Sequence, residues 1–188
     1  PNSGDYITRF NTNGKSSRIK IFDQNSNFET FVQDESSGFI VKGTLAILQP
    51  ADVSAGLVCG ALQTIQWQRG GRINGVNVKY STDGGSTYPN VIGLENRTFA
   101  DNSTLTQTTA SQWSIPETPI VNTYKLMVED SEYEKDGTDG AYIQTNSFRV
   151  KGAITLTAPI STAIWRITEV KTISWEVDHG QLDYVKII

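Results

Sequence analysis

The sequence predicts an all-β protein made of tandem β-sandwiches, with one complete unit flanked by two partial units and a period of about 108 residues. Three observations lead there. Apolar residues alternate with polar ones, as in Val76, Val78 and Tyr80 against Asn77, Lys79 and Ser81, which is the period of a half-buried strand. No segment sustains the 3.6-residue apolar period of a helix, while Asn, Ser, Thr and Gly are abundant and suit short strands and turns. Finally, the chain repeats itself. Phe39 to Pro50, FIVKGTLAILQP, aligns with Phe148 to Pro159, FRVKGAITLTAP, at an offset of 109 residues (39 to 148). Thr64 to Trp67, TIQW, aligns with Thr172 to Trp175, TISW, at an offset of 108 (67 to 175), and Val78-Lys79 aligns with Val185-Lys186 at 107 (78 to 185).

The repeat divides the chain into three segments. Residues 1–43 correspond to the second half of a unit; Ile19 and Ile21 share one strand face, and Phe39 and Val41 are its last inward pair. Lys42-Gly43 leads directly into the complete unit, 44–151, and the same dipeptide recurs at Lys151-Gly152. No Pro- or Ser-rich linker intervenes, so a stiff junction is expected. In the complete unit the first strand ends at Pro50, which suits a strand end because proline has no N–H to donate. Ile65 and Trp67 face inward on the next strand. Val76 to Tyr80 and the glycines after it form a hairpin, and Glu95 to Gln112 is a loop-rich stretch with one edge strand. Trp113 and Ile115 are expected to open the second sheet's contribution. Tyr124, Leu126 and Val128 alternate on a central strand, Glu129 to Gly140 is an acidic loop, and Tyr142 to Val150 is the closing strand. Residues 152–188 supply the first strands of a further unit. A start at Pro1 rather than Met, and an end one step before the next hairpin, lead us to expect a window on a longer chain.

These residues resemble a known family, the tandem immunoglobulin-like (fibronectin-III-like) repeats of bacterial and archaeal surface proteins, related to the Ig-like domain of yeast Ser/Thr-rich cell-wall proteins. Pro159, Trp165, Ile167, Ile173, Trp175 and Val185 fit the opening part of the pattern, and Pro50, Ile65, Trp67, Val78, Ser81, Asp83, Gly84 and Gly85 fit it in the complete copy. Leu57 departs from it where the next copy has Trp165, and Thr168 replaces the glycine that Gly60 keeps. The resemblance implies tandem sandwiches, an extracellular or cell-surface setting and no catalytic residues.

Candidate sites are few. Ser81, Asp83, Gly84 and Gly85 also fit the Asp-box of sialidases and related propellers, itself a turn device; a propeller would repeat it about every 40–50 residues, so we read it as a structural hairpin. Asp130, Asp136 and Asp139 are the calcium candidates of the acidic loop, which otherwise reads as a solvated turn because ligand spacing and repetition are lacking. The single histidine, His179, has its counterpart near Gly71 in the complete unit, so it is not part of a repeated site and reads as a loop residue, and no nucleophile–base set is expected. Cys59, the single cysteine, aligns with Ile167 and reads as a small buried hydrophobe; it excludes an intrachain disulfide. The four tryptophans read as core, with a carbohydrate-stacking platform as the alternative. Asn96 and Asn102 begin glycosylation triplets.

A hydrophobic content of 37% supports a packed core rather than a disordered chain. The net charge of −4 is spread without basic runs, so neither nucleic acid nor an anionic membrane is an expected partner, and no stretch approaches the ~18 apolar residues of a membrane helix. The expected role is therefore a non-catalytic structural segment of a long surface or filament protein, without a cofactor. Its expected partners are copies of itself, end to end or laterally, and surface glycans. The alternative is a carbohydrate-binding or adhesive accessory module of a secreted protein.

Overall fold

The computed structural model describes residues 14–23, 32–71, 73, 75–96, 106–131 and 140–188. The described residues form an all-β structure with no helix among them. Four short strands come first: β1 (Gly14–Ser17), β2 (Lys20–Phe22), β3 (Gln33–Glu35) and β4 (Phe39–Val41). Then follow β5 (Thr44–Gln49), β6 (Leu57–Val58), β7 (Leu62–Gly70), β8 (Gly75–Ser81), β9 (Asn90–Asn96) and β10 (Thr106–Ser114). The remainder are β11 (Lys125–Asp130), β12 (Tyr142–Gln144), β13 (Val150–Lys151), β14 (Ala153–Ala158) and β15 (Ser174–His179).

Two antiparallel sheets dominate the middle of the chain. One has the order β10-β7-β5, the other β12-β11-β8-β9. A short parallel pair, β13 with β6, stands between Val150–Lys151 and Leu57–Val58, extended by the Cys59 N–H donating to the Lys151 carbonyl. Alternation explains which side of each strand is covered. On β7, Ile65, Trp67 and Arg69 are buried while Gln66 and Gln68 between them are only partly so. On β8, Val76 and Val78 are buried in the same way. One hydrophobic cluster draws on both sheets: Ile65, Trp67 and Trp113 from one, Val76, Val78, Leu126 and Val128 from the other, with Tyr124, Phe148 and Val150 beside them. Each such side chain contributes roughly 1.5–3 kcal/mol when fully buried. Aromatic rings meet in and against it: the partly buried Tyr80 lies 5.2 Å from Trp113 and 5.9 Å from Tyr124, and Tyr124 lies 5.9 Å from Phe148.

The structure corrects several expectations. Glu129 and Asp130 do not open a loop; they complete β11 and are buried, the Asp130 N–H donating to the Ala141 carbonyl. β11 is central, with β8 paired along one edge and β12 along the other, and the ladder with β8 continues through Glu129 and Asp130, opposite Asn77 and Val76, which keeps both residues in the strand. The expected closing strand from Tyr142 to Val150 is divided into β12 and β13, joined to Tyr124 by an isolated bridge at Phe148. The division has a simple cause: the chain leaves the edge of β11 to reach Leu57, whose N–H donates to the Arg149 carbonyl. Trp113 stands near the end of β10, on the sheet of Ile65 and Trp67, rather than opening a second sheet.

Among the described residues, strands outside the middle segment form ladders only among themselves. β1 pairs with β4, β2 with β3, and β14 with β15. Many of their apolar side chains stay open to solvent, including Ile21 and Phe22 on one side and Leu156, Trp165 and Ile167 on the other, while Phe39, Val41, Ile173 and Leu182 are half-buried. The register of β14 with β15 sets Leu156 opposite Trp175 and Ala158 opposite Ser174, with an irregularity between them. In β5 with β7, Ile47 faces Trp67 and Gln49 faces Gln66, again with an irregularity between.

Candidate functional site

Two side-chain constellations stand out. The first closes the hairpin between β8 and β9. The turn forms because Gly84 and Gly85 adopt φ of 79° and 91°, a region that L side chains avoid. A Cβ on Gly84 would meet nothing, whereas one on Gly85 would stand 2.9 Å from both Lys125 Cδ and the Tyr88 hydroxyl. Ser81 is fully buried; its Oγ accepts the Asp83 and Gly85 N–H groups at 3.1 and 2.9 Å and donates to Asp83 Oδ1 at 2.5 Å. Asp83 also accepts the Thr87 N–H at 3.0 Å and the Thr87 hydroxyl at 2.6 Å. These donors, Ser81 first and then Thr87, favour the charged form and hold the Asp83 carboxyl far below the usual carboxylate range. Burial, then the Asp83 charge, push the Tyr88 hydroxyl up to about 12. Both Asp83 oxygens are engaged within the turn, so the constellation stiffens a hairpin rather than presenting a carboxylate to a ligand.

The second constellation was not legible in the sequence. Glu117, in the turn between β10 and β11, reaches residues 62 and 63 positions away. The Gly180 N–H donates to Glu117 Oε2 at 2.6 Å, and His179 Nδ1 lies 3.2 Å from Glu117 Oε1. The Gly180 hydrogen bond, then the one from His179, lower the pKa of the Glu117 carboxyl. Cys59 sits against the same group, fully buried, and burial followed by the Glu117 charge raises its pKa. A thiol kept protonated is a poor nucleophile, so cysteine, histidine and carboxylate together do not make an activated Cys–His pair. Only the pairing of Pro116 and Pro119 around Glu117 signalled a turn here, and nothing local identified its partner.

The other sequence candidates are scattered. Asp130 is buried at the end of β11, while Asp136 and Asp139 lie outside the described residues. Among the described residues no three His, Cys, Asp or Glu side chains are grouped as metal ligands. Asn96 ends β9, and Asn102 lies outside the described residues. Trp67 and Trp113 are in the core, but Trp165 and Trp175 are 45% and 38% exposed. An open groove of about 380 Å³ lies between β5 and β12, with Leu45, Ile47, Pro50, Ile143 and Thr145 among its walls.

In comparisons with known proteins, no family model matches the chain, and no curated protein sequence matches it either.

Proposed function

We propose that the chain is a structural, non-catalytic repeat segment of a long extracellular surface or filament protein, a stalk, sheath or fibre of stiffly joined units. In this reading the sheets β10-β7-β5 and β12-β11-β8-β9 face each other as an immunoglobulin-like sandwich spanning 44–151. Residues 1–43 and 152–188 belong to neighbouring units, and the chain's partners are further copies of itself.

The observation that carries the reading is the pairing of β14 with β15. Ile154, Leu156 and Ala158 pair with Val177, Trp175 and Ser174, and their counterparts Leu45, Ile47 and Gln49 pair with Arg69, Trp67 and Gln66; both ladders share an irregularity at the last of these steps, and β14 has a further one between Ala153 and Ile154. Backbone geometry supports it too. Thr168, the one described non-glycine residue with positive φ, has φ of 75°, against 71° at its counterpart Gly60. The two Lys-Gly junctions are also packed alike. A Cβ on Gly43 would meet Ile73 and the Gly70 carbonyl, and one on Gly152 would meet Leu182 and the His179 carbonyl, each residue at an offset of 109 (43 to 152, 70 to 179, 73 to 182). Each unit then contacts chiefly its neighbours, as in other linear repeat arrays.

The test is the mass and shape of the intact natural protein. A mass far above 20.7 kDa, with units joined into elongated particles in electron micrographs, is the expected result. An intact protein of 20.7 kDa that stays a single compact particle overturns it. The half-exposed Trp165 and Trp175 favour one second reading, a carbohydrate-binding or adhesive module. That reading requires their fluorescence to shift on adding surface polysaccharide, and an unchanged spectrum removes it.

A further inference from the structure

The boundary between residues 44–151 and 152–188 is a built contact rather than a simple chain crossing. Its apolar part is close-packed backbone. A Cβ on Gly180 would stand 2.7 Å from Ile120 Cδ1, 2.8 Å from Cys59 Sγ and 3.1 Å from the Gly152 Cα. One on Gly152 would stand 3.3 Å from Ile120 Cδ1 and 2.9 Å from the His179 carbonyl oxygen. Its polar part is Glu117. One carboxylate oxygen accepts the Gly180 N–H and the other faces the His179 imidazole. Gly60 leaves the space these groups occupy, since a Cβ there would lie 2.3 Å from both Glu117 Oε1 and His179 Nδ1.

We propose that Glu117 is the positioning residue of a joint between consecutive units, a carboxylate clasp that holds the loop after β15 against the turn before β11 and fixes the angle between them. The inference rests on the repeat reading above and adds the device that makes the array stiff. Resisting bending about a single peptide link requires a second point of attachment; here the covalent main-chain junction at Lys151-Gly152 supplies one and the hydrogen-bonded Glu117 clasp the other. The clasp resists rotation because hydrogen bonds to a charged acceptor are stronger and more directional than an apolar contact.

The experiment uses the full 188-residue chain with nitroxide labels at Val91→Cys and Glu176→Cys, both exposed and on opposite sides of the joint, while the buried Cys59 stays unlabelled. The wild-type background is expected to give a narrow distance distribution and a protected Gly180 amide. Glu117→Ala is expected to broaden the distribution and to speed Gly180 exchange by roughly tenfold, the loss of one charge-assisted hydrogen bond. Glu117→Gln keeps one acceptor oxygen without the charge and is expected to fall between wild type and Glu117→Ala in Gly180 exchange. Gly60→Ala retains Glu117 but displaces its carboxylate, and is expected to broaden the distribution in the same way. A narrow distribution and unchanged Gly180 exchange in both Glu117→Ala and Gly60→Ala overturn the clasp and leave the repeat reading standing. A broad wild-type distribution overturns the clasp as well, and if β14 and β15 amides are then also unprotected the repeat reading falls with it.

Discussion

Asp83 shows how one carboxylate can be spent entirely on local structure. Its two oxygens accept three donors from Ser81 and Thr87, and the turn around it needs Gly84 and Gly85 for their positive φ. The turn was legible in the sequence because every partner lies within six residues, although the hydroxyl donors from Ser81 and Thr87 were not. The pH consequence follows from the depressed pKa. The charged form is favoured on folding, so the contribution is present above the ordinary carboxylate range and is lost as pH falls through the folded-state value. Asp83→Asn is therefore expected to lower the melting temperature at pH 7, and the difference from wild type is expected to shrink toward strongly acidic pH. Thermal unfolding at several pH values checks this; a gap that is constant with pH sinks the assignment.

At the scale of elements, β11 departs most from what its sequence suggested. Tyr124, Leu126 and Val128 alternate into the core as expected, but Met127 and Glu129 on the opposite face are buried too. Glu129 is paired with the Lys79 ammonium across to β8 and accepts a hydrogen bond from Asn77 at 3.3 Å. Removing one partner of such a pair leaves a poorly solvated charge. Lys79→Met is expected to destabilise the chain by up to about 3 kcal/mol, while Lys79→Met combined with Glu129→Leu recovers much of the loss. Chemical denaturation of the single and double variants measures this; equal or additive losses contradict the burial argument.

For the whole molecule, the decisive contrast is between residues that the proposed repeat sets at the same place. Trp67 is 2% exposed and its counterpart Trp175 is 38% exposed. Cys59 is fully buried whereas its counterpart Ile167 is 94% exposed. The expected outcome is that Trp67→Ala costs about 3–5 kcal/mol, as aromatic-to-alanine core changes do, and Trp175→Ala well under half of that. Denaturant unfolding of both variants in the 188-residue chain decides it. Equal costs mean that residues 152–188 pack as fully as the middle segment, contrary to the exposed apolar face described above.

The sequence by itself determined the all-β class, several strands of the middle segment, the hairpin and its glycines, and the core placement of Ile65, Trp67 and Cys59. These follow from side-chain alternation, turn chemistry and internal similarity, which operate over a few residues or between copies. Only the tertiary structure decided that Trp113 shares a sheet with Trp67, that Glu129 and Asp130 belong inside β11, and that the chain from Tyr142 to Val150 divides to reach Leu57. It alone brought Glu117 to Gly180 and His179. The reason is common to all four: strand pairing and salt-bridge partners separated by tens of residues depend on how the sheets are laid together, and alternation along a single strand carries no record of its neighbour.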